Sequence, residues 1–461
     1  ATFLTSKSYP QIIMICMVRW LSQFKRSFMF KLLFLLFPLF LSYSAFSQSY
    51  TSYFTGNSSD VVTSPFGGVC IMGGATEHDE AMKWFLEQAN GGDILVLRTS
   101  GSNGYNNYLY SQLGIGVNSV ETIVFNNATA SNDSYVLQQI QNAEAIWFAG
   151  GDQWNYVSYW RNTPVDSLIN LAIVNKKIVI GGTSAGMAIQ GGYYFSAENG
   201  TVTSATALNN PYDFDVTVDS TKFLVNDYLG DVITDTHYDN PDRKGRHITF
   251  LARIFMDYGV QAKGIACQEY TAVCIDTNGL AKVYGEYPAY DETVYFLQTN
   301  CEILDITPEE CSQNNPLDWN KGGEAVKVYV VKGTMTGINT FDLSDWQTGS
   351  GGVWENWYVD NGVLVEELGS QINCTSVGVV QNKFENDIRL FPNPANETLS
   401  VTLNSAITNI DIIDVHGKVV IPNSSFNLNE MTIDISSLDY GFYFVHVKSL
   451  INNYLMKFVK E

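Results

Sequence analysis

Short apolar runs alternate with longer amphipathic stretches from Val69 onward. Runs this short that are rich in β-branched and aromatic residues are typical of buried strands. They fall at 69–72, 94–97, 122–125, 145–148 and 178–180. Segments with helical periodicity lie between them at 79–88, 134–141 and 165–175. This alternation predicts an α/β domain, a parallel sheet with helices on both faces, and a working site at the carboxyl ends of its strands.

The pattern changes twice further along the chain. After about Gly279 the helical periodicity fades, and aromatic, β-branched segments such as 327–332 and 354–358 predict strands that finish the same unit. A polar stretch follows, and we interpret it as a linker. From residue 388 onward, short alternating strands and turn signals predict a small all-β sandwich.

The amino-terminal region has the pattern of a secretory signal peptide. Basic residues precede the apolar run 32–41, and small Ala45 and Ser47 stand just ahead of a cut that we place before Gln48. A membrane anchor fits less well, because a spanning helix needs about 20 apolar residues. The predicted divisions are an upstream extension, a signal peptide, a main domain, a linker and a C-terminal module, at 1–28, 29–47, 48–368, 369–387 and 388–461.

Charge and cysteine content narrow the class of protein. A formal net charge of -21 disfavours a nucleic-acid partner, which would require clustered Lys and Arg. The cysteines outside the leader show no zinc-type spacing. Their even number in an exported chain permits disulfides, and Cys301 with Cys311 is the pair that we expect. Reduced, partly buried thiols are the equal alternative, because the sequence does not show their geometry.

A candidate nucleophile lies in the segment Gly182-Thr183-Ser184-Ala185-Gly186. It follows a predicted strand and precedes the start of a helix, which is the context of a nucleophile elbow. Such a turn lifts the Ser184 hydroxyl above the sheet and directs the following amide at a developing oxyanion. The alternative is a helix-capping serine flanked by glycines that serve packing.

A nucleophilic serine requires a base, and His237 is the best candidate. It ends a strand-like segment, whereas His78 begins an acidic helix and suggests a solvated cap. His247 stays open as the second candidate base. The chain order then suggests Glu269, at the end of another strand-like segment, as the acid that orients the histidine. The alternative for Glu269 is a surface carboxylate.

The C-terminal module resembles the sorting domain of the Por (type IX) secretion system. The resemblance rests on four segments, at 390–395, 412–418, 438–443 and 457–460. It implies export across the outer membrane, removal of the module, and a secreted or cell-surface location. A binding sandwich for carbohydrate or protein is the alternative.

The main domain resembles the cyanophycinase and dipeptidase E family of serine peptidases. The motifs that carry the resemblance are 71–74, 148–153, 182–186, 234–246 and 264–272. It implies a three-layer fold like that of class I glutamine amidotransferases, with Ser184, His237 and Glu269 as a triad. It also implies an oxyanion hole from Ala185 and from Gly151 or its neighbour. Gln153 would contact substrate.

The same resemblance implies substrate contacts from Asp235, Arg243 and Arg246, which match the family pattern. Two positions depart from it. Cyanophycinases have a glutamine directly before the histidine and an arginine four residues after it, where this chain has Thr236 and Pro241. Because proline cannot replace a guanidinium that holds a carboxylate, true cyanophycin specificity is in doubt.

These features predict a secreted serine peptidase that cleaves peptide or isopeptide bonds through an acyl-enzyme, on aspartyl-type peptides. The expected partners are the peptide substrate and the type IX secretion machinery, and a homodimer stays open. No metal or organic cofactor is implied. A catalytically silent surface binding protein of the same fold is the alternative. An amidotransferase would need a cysteine in place of Ser184.

Overall fold

The computed structural model of the 461-residue chain describes residues 48–220, 223–374, 388–414, 418–422, 428–449 and 453–461. The chain divides into two compact units, the first through Asn373 and the second from Cys374 to Glu461. The boundary between them falls inside the segment predicted as a linker. The predicted upstream extension and signal peptide, residues 1–47, lie outside the described residues.

Among the described helices of the first unit, three correspond to the predicted helical segments, those at 79–88, 134–142 and 164–171, and the others were not predicted. In chain order the helices are α1 Asp79–Gln88, α2 Gly104–Asn107, α3 Ser134–Asn142, α4 Gln153–Trp160, α5 Pro164–Leu171, α6 Ala185–Ala188, α7 Ser204–Asn209 and α8 Lys244–Tyr258. Asp133 and Asp152 each accept a hydrogen bond of 2.9 Å from the amide two residues ahead, which satisfies the first turns of α3 and α4. Gly259, with a φ of 68°, ends α8 in the left-handed conformation that favours glycine.

The strands of the first unit form two large sheets and one short pair. They are β1 Tyr50–Gly56, β2 Val69–Met72, β3 Asp93–Arg98, β4 Ser119–Phe125, β5 Ala145–Phe148, β6 Val179–Thr183, β7 Tyr194–Phe195, β8 Val218–Asp219, β9 Val232–Asp235, β10 Lys263–Cys267, β11 Ala272–Ile275, β12 Leu280–Tyr287, β13 Thr293–Thr299, β14 Val326–Lys332, β15 Asn339–Asp342, β16 Gly349–Ser350, β17 Gly352–Asp360 and β18 Val363–Leu368.

The first sheet contains the predicted parallel strands. Its order is β1-β4-β3-β5-β6-β2-β11-β12-β15-β16. Neighbouring strands from β4 to β2 run parallel, and β1 and β11 add antiparallel strands on either side. Side chains that alternate along β3 enter different core clusters, Leu95 on one face and Val96 on the other. Because both faces are covered, these strands appear in the sequence as continuous apolar runs.

A second sheet was not predicted from the sequence. Its order is β18-β17-β14-β13-β10-β9, with β9 and β10 parallel and the remaining neighbours antiparallel. The strand-like segments at 327–332 and 354–358 are strands, as expected, but they pair in this sheet and do not extend the first. Helix α8 packs against it through Ile248, Leu251 and Ile254, which lie in one core cluster with Val328 and Trp357 of the sheet.

The regular elements of the second unit, among its described residues, are strands, which confirms the predicted all-β module. Its strands are β19 Ile388–Phe391, β20 Thr398–Asp414, β21 Val419–Pro422, β22 Leu428–Asp434, β23 Gly441–Ser449 and β24 Asn453–Lys460. The first part of β20 pairs with β19 and β22, and its last part pairs with β21 and β23. Leu399, Val401, Ile412 and Val445 are fully buried in the core of this unit.

The cysteines correct one prediction. Cys301 and Cys374 are disulfide-bonded, whereas Cys311 is a buried free thiol, so the expected Cys301–Cys311 bond is wrong. Closeness in sequence does not bring two Cα atoms to the separation that a disulfide requires. Cys70, Cys267 and Cys274 are also buried and free.

No helix in the described part of the chain has the length and apolar character that crossing a bilayer would require.

Candidate active site

Ser184 occupies a strained turn between β6 and α6. Its φ of 54° and ψ of -119° lie where non-glycine residues are rarely found. A Cβ at Gly186 would stand 2.0 Å from the carbonyl oxygen of Phe148, so this position requires glycine. Strain of this kind persists only where the surrounding fold holds it in place, and it is common at functional sites. The local geometry is that of the predicted elbow.

His237 brings its ring to this serine from the second sheet. It follows β9, and its Nε2 lies 2.8 Å from the Ser184 Oγ. Its φ of 47° is again in the left-handed region. The other candidate base, His247, lies on α8 with no exposed surface, and burial lowers its pKa to about 4. His78, predicted as a solvated cap, makes no capping hydrogen bond and packs 5.6 Å from the ring of Tyr284.

Glu269 completes a chain of hydrogen bonds. It follows β10, the parallel neighbour of β9, and its Oε1 lies 2.6 Å from the His237 Nδ1. The hydrogen bond to His237 lowers the pKa of Glu269, against the opposing effect of partial burial. Asn240 donates to the other carboxylate oxygen at 3.4 Å, and Asp239 accepts the Glu269 amide at 3.0 Å. The hydrogen bonds therefore fix the orientation of the Glu269 carboxylate, and its lowered pKa favours the ionised form.

The segment Met72–Gly74 at the end of β2 connects these three loops. The Met72 carbonyl accepts the Ser184 amide at 3.1 Å, and the Gly73 carbonyl accepts the His237 amide at 2.7 Å. The Gly74 carbonyl accepts the amide of Tyr270, the neighbour of Glu269, at 3.1 Å. A Cβ at Gly74 would lie 2.3 Å from the His237 Cε1, so the imidazole rests directly on this glycine. The sequence showed the Gly-Gly motif but not this connecting role.

The predicted oxyanion residues lie on two segments next to Ser184. Ala185 is the first residue of α6, where a backbone amide has no partner within its own helix. A Cβ at Gly150 would lie 3.5 Å from the Ser184 Cβ, which places the Gly150–Gly151 turn beside the serine. The Tyr156 hydroxyl donates to the carbonyls of Ala149 and Gly150 at 2.8 and 3.1 Å and holds this turn.

Asp235 and Arg246 do not face a substrate. Each side chain is only 3% exposed, and the two form a bidentate pair in which the Arg246 Nε lies 2.9 Å from the Asp235 Oδ2. Burial alone would raise the pKa of Asp235, but the guanidinium outweighs it and leaves that pKa below its ordinary value. The Asp235 Oδ1 also accepts the Thr236 amide at 2.8 Å. The prediction that Asp235 and Arg246 contact the substrate is therefore wrong. Their buried ion pair supports the turn that leads to His237.

Arg243 and Gln153 keep exposed surface. Arg243 donates from Nη1 to the Thr236 carbonyl at 2.9 Å, and partial burial lowers the pKa of its guanidinium. Its charge also contributes to the lowered pKa of Glu269, which places it close to the triad. Gln153 is the first residue of α4, directly after the turn that carries Gly151. Both positions are compatible with contact to a bound substrate.

Arg98 is a residue of the site region that the sequence did not reveal. It ends β3, and its Nη1 donates to the Ser102 carbonyl at 2.9 Å while its Nε donates to the Ser100 carbonyl. A Cβ at Gly151 would lie 3.7 Å from the Ser100 Oγ, so the loop that Arg98 organises borders the turn beside Ser184. A lone arginine at a strand end carries no motif by which it could have been found.

The described residues contain no group of three or more His, Cys, Asp or Glu side chains arranged to hold a metal ion.

Two family models match the chain, one over part of the first unit and one over the second unit. Residues 102–280, which include Ser184, His237 and Glu269, match peptidase family S51. Residues 389–461 match the secretion system C-terminal sorting domain. Both resemblances noted in the sequence are thereby confirmed, and the sorting domain indicates export by the type IX route.

Individual relatives are more distant. Cyanophycinases of Trichormus variabilis and of a Nostoc species are each 24% identical over 172 residues, 37% of this chain and 52% of theirs. The chain therefore spans about half the length of the curated relatives it matches. Among solved structures, a peptidase from an acI-B1 Actinobacterium is 15% identical with a TM-score of 0.37, covering 50% of this chain and 91% of that one. A putative peptidase E protein from Listeria monocytogenes is 16% identical with a TM-score of 0.29, covering 48% and 98%.

Proposed function

We propose that the protein is an exported serine hydrolase that cleaves peptide or isopeptide bonds through an acyl-enzyme. The observation that carries this proposal is the hydrogen-bonded chain from Ser184 through His237 to Glu269, with its separations of 2.8 and 2.6 Å. A nucleophile, a base within reach of it, and an acid that orients the base form the arrangement that activates a serine hydroxyl. The match to peptidase family S51 over the same residues supports it.

The first half of the reaction uses His237 as the base. His237 keeps its proton on Nδ1, where it donates a hydrogen bond to Glu269, and so presents an unprotonated Nε2 to the serine hydroxyl. His237 takes the proton as the Ser184 Oγ attacks the scissile carbonyl, and Glu269 stabilises the imidazolium that results. The protonated His237 then gives this proton to the leaving amine.

Backbone amides stabilise the negative charge that develops on the carbonyl oxygen. The amide of Ala185 and that of Gly151 or its neighbour are the donors in this proposal, because both segments lie beside Ser184. Fixed donors of this kind stabilise the transition state more than the ground state. In the second half, water attacks the acyl-enzyme with His237 again as the base, and Ser184 is regenerated.

The substrate class in this proposal is an aspartyl-type peptide, with Arg243 as the residue that binds the acidic group. Of the two arginines after His237, Arg243 keeps exposed surface while Arg246 is taken up by Asp235. A guanidinium holds a carboxylate well through paired hydrogen bonds. Thr236 and Pro241 remove two polar groups that cyanophycinases carry, so short β-aspartyl peptides should be better substrates than cyanophycin.

The experiment that tests the proposal is hydrolysis by the purified exported protein of cyanophycin, α- and β-aspartyl dipeptides, and neutral dipeptides of equal length. We expect cleavage of aspartyl dipeptides at rates well above those for neutral ones. Equal rates on aspartyl and neutral dipeptides would support peptidase activity but contradict the proposed preference for aspartyl peptides. No cleavage of any peptide bond would contradict the proposed activity.

A further inference from the structure

Two buried free thiols face each other across the strands that frame the candidate site. Cys70 on β2 and Cys274 on β11 are direct partners in the antiparallel ladder, and their sulfur atoms lie 3.6 Å apart. Both side chains are at most 1% exposed. Both sulfurs also point at the same carbonyl, that of Ala81 on α1, at 3.9 and 3.8 Å. The two thiols therefore lie on one face of the sheet, under one helix.

The ladder itself meets the distance requirement of a disulfide. Directly opposed residues of an antiparallel pair have Cα atoms about 4.5 or 5.5 Å apart, depending on the kind of pair. Disulfides form at Cα separations of roughly 4.4 to 6.8 Å. Either kind of pair fits, so closing the bond requires the two sulfurs to approach by rotation of the side chains and does not require the strands to move.

We propose that Cys70 and Cys274 form a cross-strand disulfide in the exported protein. The chain ends in a secretion sorting domain, so it leaves the reducing cytoplasm, and it carries other disulfide-bonded cysteines already. The oxidant is a disulfide of the envelope, on an oxidase of the thioredoxin-like class. One cysteine thiolate attacks that disulfide and forms a mixed disulfide with the oxidase. The second cysteine thiolate then attacks the sulfur of the first, breaks the bond to the oxidase, and releases the oxidase as a dithiol that carries the two electrons.

The bond forms while the strands are still uncovered. In the folded unit α1 lies over both sulfurs, and burial raises the pKa of the Cys274 thiol, so the reactive thiolate is scarce there. Exchange is fastest before α1 packs onto the sheet. Once the helix is in place, the same burial shields the disulfide from reductants.

The cross-link would stabilise the two strands next to the candidate site, β2 and β11, but it is not needed to bring the triad residues together. β2 ends in the connecting segment Met72–Gly74, and β11 begins shortly after Glu269, so a bond between them fixes the two strands that the triad loops depend on. The triad hydrogen bonds are nevertheless in place with both thiols free. Oxidation should therefore change resistance to unfolding and leave kcat unchanged.

The direct test is peptide mapping of the exported protein purified without reductant. The protein is denatured, treated with N-ethylmaleimide and digested, with and without prior reduction. We expect peptides of Cys70 and Cys274 joined, two hydrogens lighter than the sum of the free peptides, and separated by reductant. Cys267 and Cys311 should carry the alkyl group in both samples. Alkylation of Cys70 and Cys274 without reductant, or a link from either to another cysteine, would overturn the proposal.

Variants provide an independent measurement. Cys70→Ala removes the cross-link, and Cys311→Ala is the matched control, since it deletes a buried free thiol from a different core cluster. Each protein is melted before and after refolding in reductant. The fall in Tm caused by reductant should be smaller in Cys70→Ala than in Cys311→Ala, by about 5 °C or more for one long-loop disulfide. Equal falls in both variants would overturn the proposal.

Discussion

The serine side and the histidine side of the candidate site are built in different ways. Ser184 lies at the end of a parallel strand of the first sheet, in a turn that is held by the carbonyls of Met72 and Phe148 on neighbouring strands of that same sheet. His237 and Glu269 follow two parallel strands of the second sheet, and residues distant in sequence hold them. The serine side is held within one sheet, whereas the other side joins loops of the second sheet to the end of β2 in the first sheet.

The two arginines after His237 show what this difference implies. Arg243 and Arg246 are three residues apart, yet Arg246 is buried in an ion pair and Arg243 remains partly exposed. Their similar sequence context hides different surroundings: Arg246 supports the β9 turn, and Arg243 is the residue that we propose for substrate binding. Spacing alone does not separate such roles where long-range packing decides burial.

The largest expected effect is on the serine side. Ser184→Ala should lower kcat by about a millionfold, because it removes the nucleophile of a triad. The variant should melt within a degree or two of the parent, since the hydroxyl is not part of a packed core. Ser158→Ala, on an exposed position of α4, is the control and should keep full activity. Retention of more than about a hundredth of the activity would remove Ser184 from the mechanism.

The next effect is on the stability of the histidine side. Asp235→Ala leaves the buried Arg246 guanidinium without its partner, which should cost about 3 to 5 kcal/mol of the free energy of unfolding. The exposed Asp242→Ala is the control and should cost less than about 0.5 kcal/mol. Chemical denaturation of both variants measures the difference. Similar costs for the two would mean that the buried pair does not support this side of the site.

Gly74→Ala tests the contact that joins the two sides. The added Cβ would overlap the His237 ring at a backbone φ of 122°, so the imidazole must move from its position beside Ser184. A displacement of about an ångström should lower kcat/KM roughly a hundredfold. Gly200→Ala is the matched control, because Gly200 has a similar φ of 117° and a Cβ there would have no atom within 4 Å. Unchanged kinetics in Gly74→Ala would argue against the observed position of the ring.

The smallest effect concerns substrate choice. Arg243→Ala should lower kcat/KM about tenfold on aspartyl dipeptides, which matches the loss of one charge-assisted contact. Neutral dipeptides should be cleaved at the rate of the parent protein, because they have no acidic group to bind. If the variant loses the same factor on both substrates, Arg243 acts through Glu269 and not through the substrate.

The elements that the sequence predicted well are those with local patterns. The five apolar runs are the parallel strands of the first sheet, and the Gly-x-Ser-x-Gly context identified the elbow. The second sheet was missed although its strands at 327–332 and 354–358 were predicted, because the choice of which strands pair in which sheet is not encoded in the local pattern of each strand. Burial of Asp235 and Arg246 and the Cys301 disulfide depend on tertiary contacts. Arg98 makes local bonds to its own loop, but no motif marks it in the sequence. A single sequence does not contain that information.

Covalent labelling by a serine-reactive fluorophosphonate, followed by intact mass and peptide mapping, tests directly whether Ser184 is an activated nucleophile. We expect one adduct per chain, located on Ser184. It should be absent from Ser184→Ala and form much more slowly in His237→Ala, because that histidine activates the hydroxyl. A protein that keeps this fold only to bind other molecules would not react. No adduct on a correctly folded protein, or an adduct on a different residue, would contradict the account.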